Sequence, residues 1–191
     1  MTGDEIMNFI DYVTLMLVNM VAAFFILGCF VWRGLDNEGR ANWAPAFAIC
    51  GLIAIVCGFT MTFSSPIPKP YSMAFGEMSV LLGILFLGTS WALSRGWELM
   101  PLAIYGFFAG AAAIVLGVRI IELNLTAKPI ISGVGFILSG TAGIFAPLVV
   151  WQSEQKGLRV LASLVLFAVS AIWALTGYLA YWMHIAPAAP K

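Results

Sequence analysis

Long apolar runs separated by short polar segments dominate the chain. Each run approaches the ~20 residues that an α-helix needs to cross a ~30 Å hydrocarbon layer. The six runs predict transmembrane helices over approximately residues 9–32, 43–63, 73–93, 98–121, 129–151 and 158–185. The segments between them are too short for a further domain. We therefore predict an all-α fold with a single domain over residues 1–191, an integral membrane bundle of six transmembrane helices.

Prolines mark several helix boundaries. Pro45, Pro101 and Pro129 fall in first turns, where a missing backbone N–H costs nothing. The proline-rich segment 64–70 is predicted to be non-helical, so the third helix is expected to begin near Ser72 or Met73.

Small residues at intervals of four predict which helices pack closely. Such spacing lets two backbones approach each other in a membrane. The motifs are Gly106/Gly110 and Ala109/Ala113/Gly117 in the fourth helix, and Gly135/Ser139/Gly143 in the fifth. We expect these two helices to pair tightly, although the ordinary frequency of glycine in membrane helices also accounts for the motifs.

Composition agrees with a membrane protein. Hydrophobic residues make up 62% of the chain and charged residues only 9%, with a mean hydropathy of +0.99, against roughly 25% charged residues in soluble domains. The nine basic and nine acidic residues cancel, so no field favours nucleic acid, and the lipid bilayer is the predicted partner. The three cysteines lie in apolar runs and do not show the spacing of a disulfide framework or zinc site.

Loop charges and tryptophans predict an orientation. The first, third and fifth loops contain more basic residues than the others, which places both termini outside the cytoplasm, here of a bacterial or archaeal cytoplasmic membrane. One aromatic belt is predicted on the side of the basic loops. It comprises Trp32, Trp43, Trp91, Trp97 and Trp151.

Glu77 is the residue that most needs an explanation. It lies near the start of the apolar third helix, where an ionisable group requires a partner, a proton or a function. The predicted helix ends place further polar groups on the same side of the membrane: Asp11, Arg119, Glu122 and Tyr181. Arg119 and Glu122 are three residues apart and can pair along one helix face. This set predicts an outward-facing polar site. The alternatives are a structural Glu77–Arg119 ion pair and an Asp11 that is solvated in the headgroup layer.

The Phe75-Gly76-Glu77-Met78-Ser79 segment, with the Gly-rich fourth and fifth helices that follow, resembles an uncharacterised family of small polytopic membrane proteins, domain of unknown function 981. The resemblance covers roughly residues 70–184. It implies a helical membrane fold and supplies no activity.

The chain has candidate ligands for a metal ion but too few histidines for a b-type haem. His184 and Glu77 are the candidate metal ligands, and nearby methionines would suit a soft metal such as copper. The chain has one histidine, which cannot supply both axial ligands of a b-type haem within one monomer. The cofactor therefore stays unknown.

No nucleophile elbow, zinc-protease motif or phosphate-binding loop is found, so a non-enzymatic role is favoured.

Two functions are consistent with these patterns. The first is a binding or transport protein for a proton, cation or small polar molecule, acting as a homo-oligomer or as a subunit of a larger membrane complex. The second is a metal- or quinone-dependent membrane redox protein, or the membrane anchor of one.

Overall fold

Six long helices account for most of the chain in a computed structural model that describes residues 12–35, 38–64 and 69–184. The helices are α1 Tyr12–Cys29, α2 Ala44–Ser64, α3 Lys69–Arg95, α4 Met100–Glu122, α5 Pro129–Trp151 and α6 Lys156–His184. All six are long and apolar enough to span a membrane, and the described ranges contain no strand. The predicted all-α membrane bundle is confirmed.

The described helix bounds lie within about three residues of the predicted ones, except at the start of α3. The prediction that segment 64–70 is non-helical was wrong at its two ends, since Ser64 belongs to α2 and Lys69 and Pro70 belong to α3. This helix begins at Lys69, a few residues before the expected start, because Pro70 is accommodated in a first turn. The preceding residues 65–68 lie outside the described ranges. α5 continues through Pro147 to Trp151.

Two short elements join α1 to α2. α1 is followed by a π-helical turn, Phe30–Gly34, and a 3₁₀ helix, Glu38–Trp43, leads into α2. π turns arise where a residue is inserted into a regular helix and are frequent at functional sites. Phe30 and Val31 of this turn are buried in the bundle.

The helices form a ring in chain order. Each helix contacts the next one along the chain, and α6 closes the ring against α1. The most extensive contacts join α4 with α5, α2 with α3, and α1 with α6. The bundle thus consists of three helix pairs around a common axis.

In two of these pairs, glycines seven residues apart allow the two helices to approach each other closely. Across α4 and α5, a Cβ on Gly110 would lie 2.5 Å from the carbonyl oxygen of Gly140, and one on Gly117 would lie 2.7 Å from that of Gly133. The predicted tight pairing of the fourth and fifth helices is confirmed. A Cβ on Gly135, however, would lie 3.0 Å from the Trp173 side chain of α6. Gly135 therefore faces α6 and not α4.

The same arrangement recurs between α2 and α3. There Gly51 lies opposite Gly83, and Gly58 lies opposite Gly76, with Cβ positions 2.9 Å from the facing carbonyl oxygens. Both helix pairs therefore have glycine contacts one heptad apart. The α4–α5 pair has a third, where a Cβ on Gly143 would lie 2.7 Å from the Gly106 carbonyl oxygen. Such close approach replaces the hydrophobic drive that lipid does not supply between helices.

Side-chain hydrogen bonds to backbone carbonyls link other neighbours. Asn19 Nδ2 of α1 donates to the Cys50 oxygen of α2 at 2.9 Å. Ser90 Oγ of α3 donates to the Ala44 oxygen at 2.7 Å, and Ser170 Oγ of α6 donates to the Val21 oxygen at 2.9 Å. Asn19 is therefore an interhelical hydrogen-bonding residue.

The two ends of the ring differ. Topology places Trp32, Trp43, Trp91, Trp97 and Trp151 at one end, which we call the belt end. The opposite end, where α1 begins and α6 finishes, is called the terminal end. Trp91 and Trp97 pack against each other with ring centroids 5.6 Å apart.

Candidate functional site

A cavity of about 480 Å³ occupies the axis of the bundle. Every helix of the ring contributes to its wall. Representative lining residues are Met20 of α1, Phe47 of α2, Leu82 of α3, Gly106 of α4, Ala142 of α5 and Val165 of α6. The described lining includes no Asp, Glu, Lys, Arg or His. Gly106, Gly110 and Gly143 of the close α4–α5 contact are among the lining residues.

Aromatic side chains border the cavity in both halves of the membrane. In the terminal half, the rings of Phe75 and Phe136 lie 5.8 Å apart. In the belt half, Phe47 packs against Phe30 at 5.4 Å and against Phe86 at 5.2 Å. Rigid rings at these separations pack favourably with one another and present apolar surface to the axis.

Hydroxyl groups are the only polar side-chain groups among the described lining residues, and Ser139 is the best defined of them. Ser139 Oγ donates to the Gly135 carbonyl oxygen at 2.7 Å and accepts a hydrogen bond from Trp173 Nε1 at 3.1 Å. Because its proton is already donated, the hydroxyl has only acceptor capacity left for a ligand. Three further hydroxyls come from Ser79 and Thr89 of α3 and from Thr141 of α5.

The described residues of the predicted polar site lie away from this cavity. Glu77 is exposed on the surface of the bundle, and Tyr181 is 53% exposed. Neither residue lines the cavity, and the same holds for Arg119 and Glu122. Asp11 lies outside the described residues, as does the side chain of His184.

Arg119 has an acidic partner on its own helix. Its Nη1 lies 2.8 Å from Glu122 Oε2, with the two side chains 56% and 55% exposed. The predicted pairing along one helix face is confirmed. Of the two carboxylates considered for Arg119, it is Glu122 and not Glu77 that forms the ion pair.

The described residues include no group of three or more His, Cys, Asp and Glu side chains placed to hold a metal ion. The three cysteines are free thiols. Because the His184 side chain lies outside the description, its proposed ligand role with Glu77 stays a prediction.

Sequence reasoning missed the cavity. Its lining consists mainly of Leu, Phe, Val, Met, Ala and Gly residues, the same types that face lipid. Composition therefore does not separate the inner face of a membrane helix from the outer one. One available signal was Ser79 and Thr89, ten residues apart on α3, on a helix face that also includes Leu82 and Phe86.

Comparison with known proteins places the chain in a family and in a fold. A family model described as "Protein of unknown function (DUF981)" matches residues 7–187, so the chain belongs to this family. No curated protein matches the chain. The cryo-EM structure of the Helicobacter pylori urea channel in the closed state is similar, with a TM-score of 0.69 and 14% sequence identity, over 91% of this chain and 100% of that chain. At this identity the likeness concerns the fold.

Proposed function

For this member of the DUF981 family, we propose that the six-helix ring is a passage through the membrane for a small neutral polar molecule. The observation that carries the proposal is the axial cavity, which receives side chains from all six helices and no ionisable group from its described lining. A cavity on the axis, rather than a cleft on one face, favours passage along the bundle.

The chemistry of the lining favours a neutral solute over an ion. An isolated charge in an apolar environment costs tens of kcal/mol by simple solvation estimates, whereas a neutral amide or hydroxyl costs roughly 2–7 kcal/mol. Acceptors such as Ser139 Oγ offset part of that smaller cost for a solute with N–H or O–H groups. A cation or a proton finds no ionisable partner among the described lining residues.

The fold likeness supports the same class of solute. The similar solved structure is a urea channel in its closed state, and urea is small, neutral and rich in N–H donors. Aromatic pairs such as Phe75–Phe136 and Phe30–Phe47 are suited to narrowing an axial path in each half of the membrane. We infer that they restrict the passage to small molecules.

The polar residues at the terminal end have a secondary role in this proposal. Four of these residues lie in the terminal halves of their helices and outside the cavity lining: Arg119, Glu122, Tyr181 and Glu77. Asp11 directly precedes α1. We propose that such groups attract water and solute to the mouth of the passage without contacting the solute on the axis.

Assembly of several copies, each with its own passage, is part of the proposal and is tested by the mass of the detergent-solubilised particle.

Transport measurements test the proposal directly. Purified protein is reconstituted in lipid vesicles, and urea entry is followed by light scattering after rapid mixing, alongside proton and sodium uptake in the same vesicles. We expect urea entry above the rate of protein-free vesicles and no increase in ion uptake. Ion uptake without urea entry would instead support the ionisable site around Glu77.

A quinone is the second candidate ligand. The aromatic lining, including Phe47 and Phe86, suits a flat apolar ring, and cavities of about 300–1,000 Å³ are typical of small-molecule sites. An absorption spectrum and solvent extraction of the purified protein distinguish this case. A stoichiometric quinone would move the function to membrane redox chemistry.

A further inference from the structure

Between α5 and α6, the wall of the axial cavity includes residues that are also exposed on the outside of the bundle. Phe145 of α5 and Leu161 of α6 both line the cavity, and yet they are 53% and 61% exposed on the outside of the bundle. The small residues Ala146 and Ala162 also line the cavity on these two helices. We call the gap bordered by Phe145, Ala146, Leu161 and Ala162 the lateral opening.

The surroundings of the lateral opening determine what can enter it. All four residues belong to stretches of α5 and α6 that are apolar enough to span a membrane, so the opening faces lipid hydrocarbon and not water. Every one of its four side chains is apolar. A molecule that enters there must therefore be apolar over the part that passes between the helices.

We propose that one acyl chain of a membrane lipid enters through the lateral opening and occupies the belt half of the axial cavity. Apolar cavities of ~150 Å³ stay free of water and bind molecules the size of benzene. The axial cavity, at about 480 Å³, is large enough for a longer apolar chain. Acyl chains are the most abundant apolar groups around the opening.

The position of the opening suits a lipid whose headgroup stays at the membrane surface. Phe145 lies less than two helical turns, roughly 9 Å, from Trp151 at the belt end. Leu161 lies a similar distance from Lys156, an exposed cation at the start of α6. A lipid with its headgroup level with Trp151 and Lys156 can thus turn its chain inward at the lateral opening. The favoured lipid is anionic, because Lys156 is a cation at that level.

This inference concerns occupancy of the cavity and does not depend on the passage of a solute. If both proposals hold, the inserted chain narrows the axial path and lipid composition controls solute entry. Failure of one leaves the other testable, since lipid insertion is measured by cross-linking and solute passage by vesicle flux.

The test uses a phospholipid with a photoactivatable diazirine in the middle of one chain. The protein is reconstituted with this anionic lipid and irradiated, and the labelled residues are identified by mass spectrometry. We expect label on Leu82 and Leu85, which line the cavity from α3, opposite α6 in the ring, in addition to label on the outer surface.

Two matched variants of α6 provide the control. Ala162→Trp fills the lateral opening and should abolish labelling of Leu82 and Leu85, while Ala168→Trp, at an exposed position on the same helix, should leave it unchanged. Both should keep label on outer residues such as Leu164. If Ala162→Trp does not fold, Ala146→Leu closes the opening from α5 instead.

Three results would overturn the inference. They are label confined to outer residues in the wild type, equal labelling of Leu82 in both folded variants, and recovery of a stoichiometric quinone from the cavity in place of lipid. The first of these would show that lipid surrounds the bundle without entering it.

Discussion

Gly110 of α4 and Gly140 of α5 face each other so closely that a Cβ added to Gly110 would lie 2.5 Å from the Gly140 carbonyl oxygen. The contact is between two backbones, so a new side chain cannot be accommodated by rotation of its neighbour. Gly51 and Gly83 repeat the relationship between α2 and α3. These backbone contacts fix the spacing of the two helix pairs, and Gly110 itself lines the axial cavity.

Gly110→Ala should therefore destabilise the bundle. The methyl group forces α4 and α5 apart, and overpacking of this kind costs about 1–3 kcal/mol. Gly106→Ala is the matched control on the same helix, because its Cβ would meet only Leu85 Cδ1, at 3.9 Å. Unfolding in mixed micelles with increasing SDS measures both. Equal stability of the two variants would contradict the close α4–α5 approach.

Ser139→Ala should lower stability by removing the acceptor of a buried donor. Trp173 is 0% exposed, and its Nε1 donates to Ser139 Oγ at 3.1 Å. A buried donor without a partner costs about 1–3 kcal/mol. The same unfolding assay applies. Thr141→Val is the control on α5, since the Thr141 hydroxyl donates to the Ile137 carbonyl oxygen of its own helix. This variant should lower stability by only a few tenths of the loss expected for Ser139→Ala.

Glu122→Gln should have little effect on stability. The Arg119–Glu122 pair spans 2.8 Å, but both side chains are more than half exposed, and exposed pairs three residues apart contribute about 0.2–0.5 kcal/mol. A loss several times larger in the SDS assay would show that the pair is covered in the assembled protein, for example by a second copy.

Glu77→Gln should leave folding unchanged and reduce solute passage only slightly. Glu77 is exposed and lies outside the lining of the axial cavity, so the neutral glutamine removes no group from the path. The measurement is urea entry into vesicles, compared at equal amounts of reconstituted protein. A marked loss of flux with intact folding would restore Glu77 to the functional site that the sequence suggested.

The fold was predictable from sequence to a much greater degree than the site. Hydrophobic run length determines the number of spans, and first-turn prolines such as Pro101 and Pro129 determine where helices begin. The α4–α5 pairing followed from small-residue spacing. The predicted Gly106, Gly110, Gly117 and Gly143 do lie in the α4–α5 contact. The motif in α5 was only partly right, because Gly135 faces α6, and the spacing did not identify Gly133 and Gly140.

The site could not be located in the same way. An ionisable residue such as Glu77 draws attention in an apolar sequence, yet its depth and direction depend on helix rotation, which hydropathy does not determine. The cavity is lined by residues such as Leu82 and Ala142 that are chemically identical to lipid-facing ones. Only the arrangement of the ring distinguishes them.

The central claim is that a neutral solute passes along the axis of the ring, and urea entry into vesicles measured for two alanine variants tests it most directly. Ala142→Phe places a ring in the axial cavity, and Ala171→Phe places one on the exposed face of α6. We predict that Ala142→Phe reduces urea entry to the rate of protein-free vesicles, whereas Ala171→Phe keeps the wild-type rate. Equal urea entry through both folded variants would contradict an axial path.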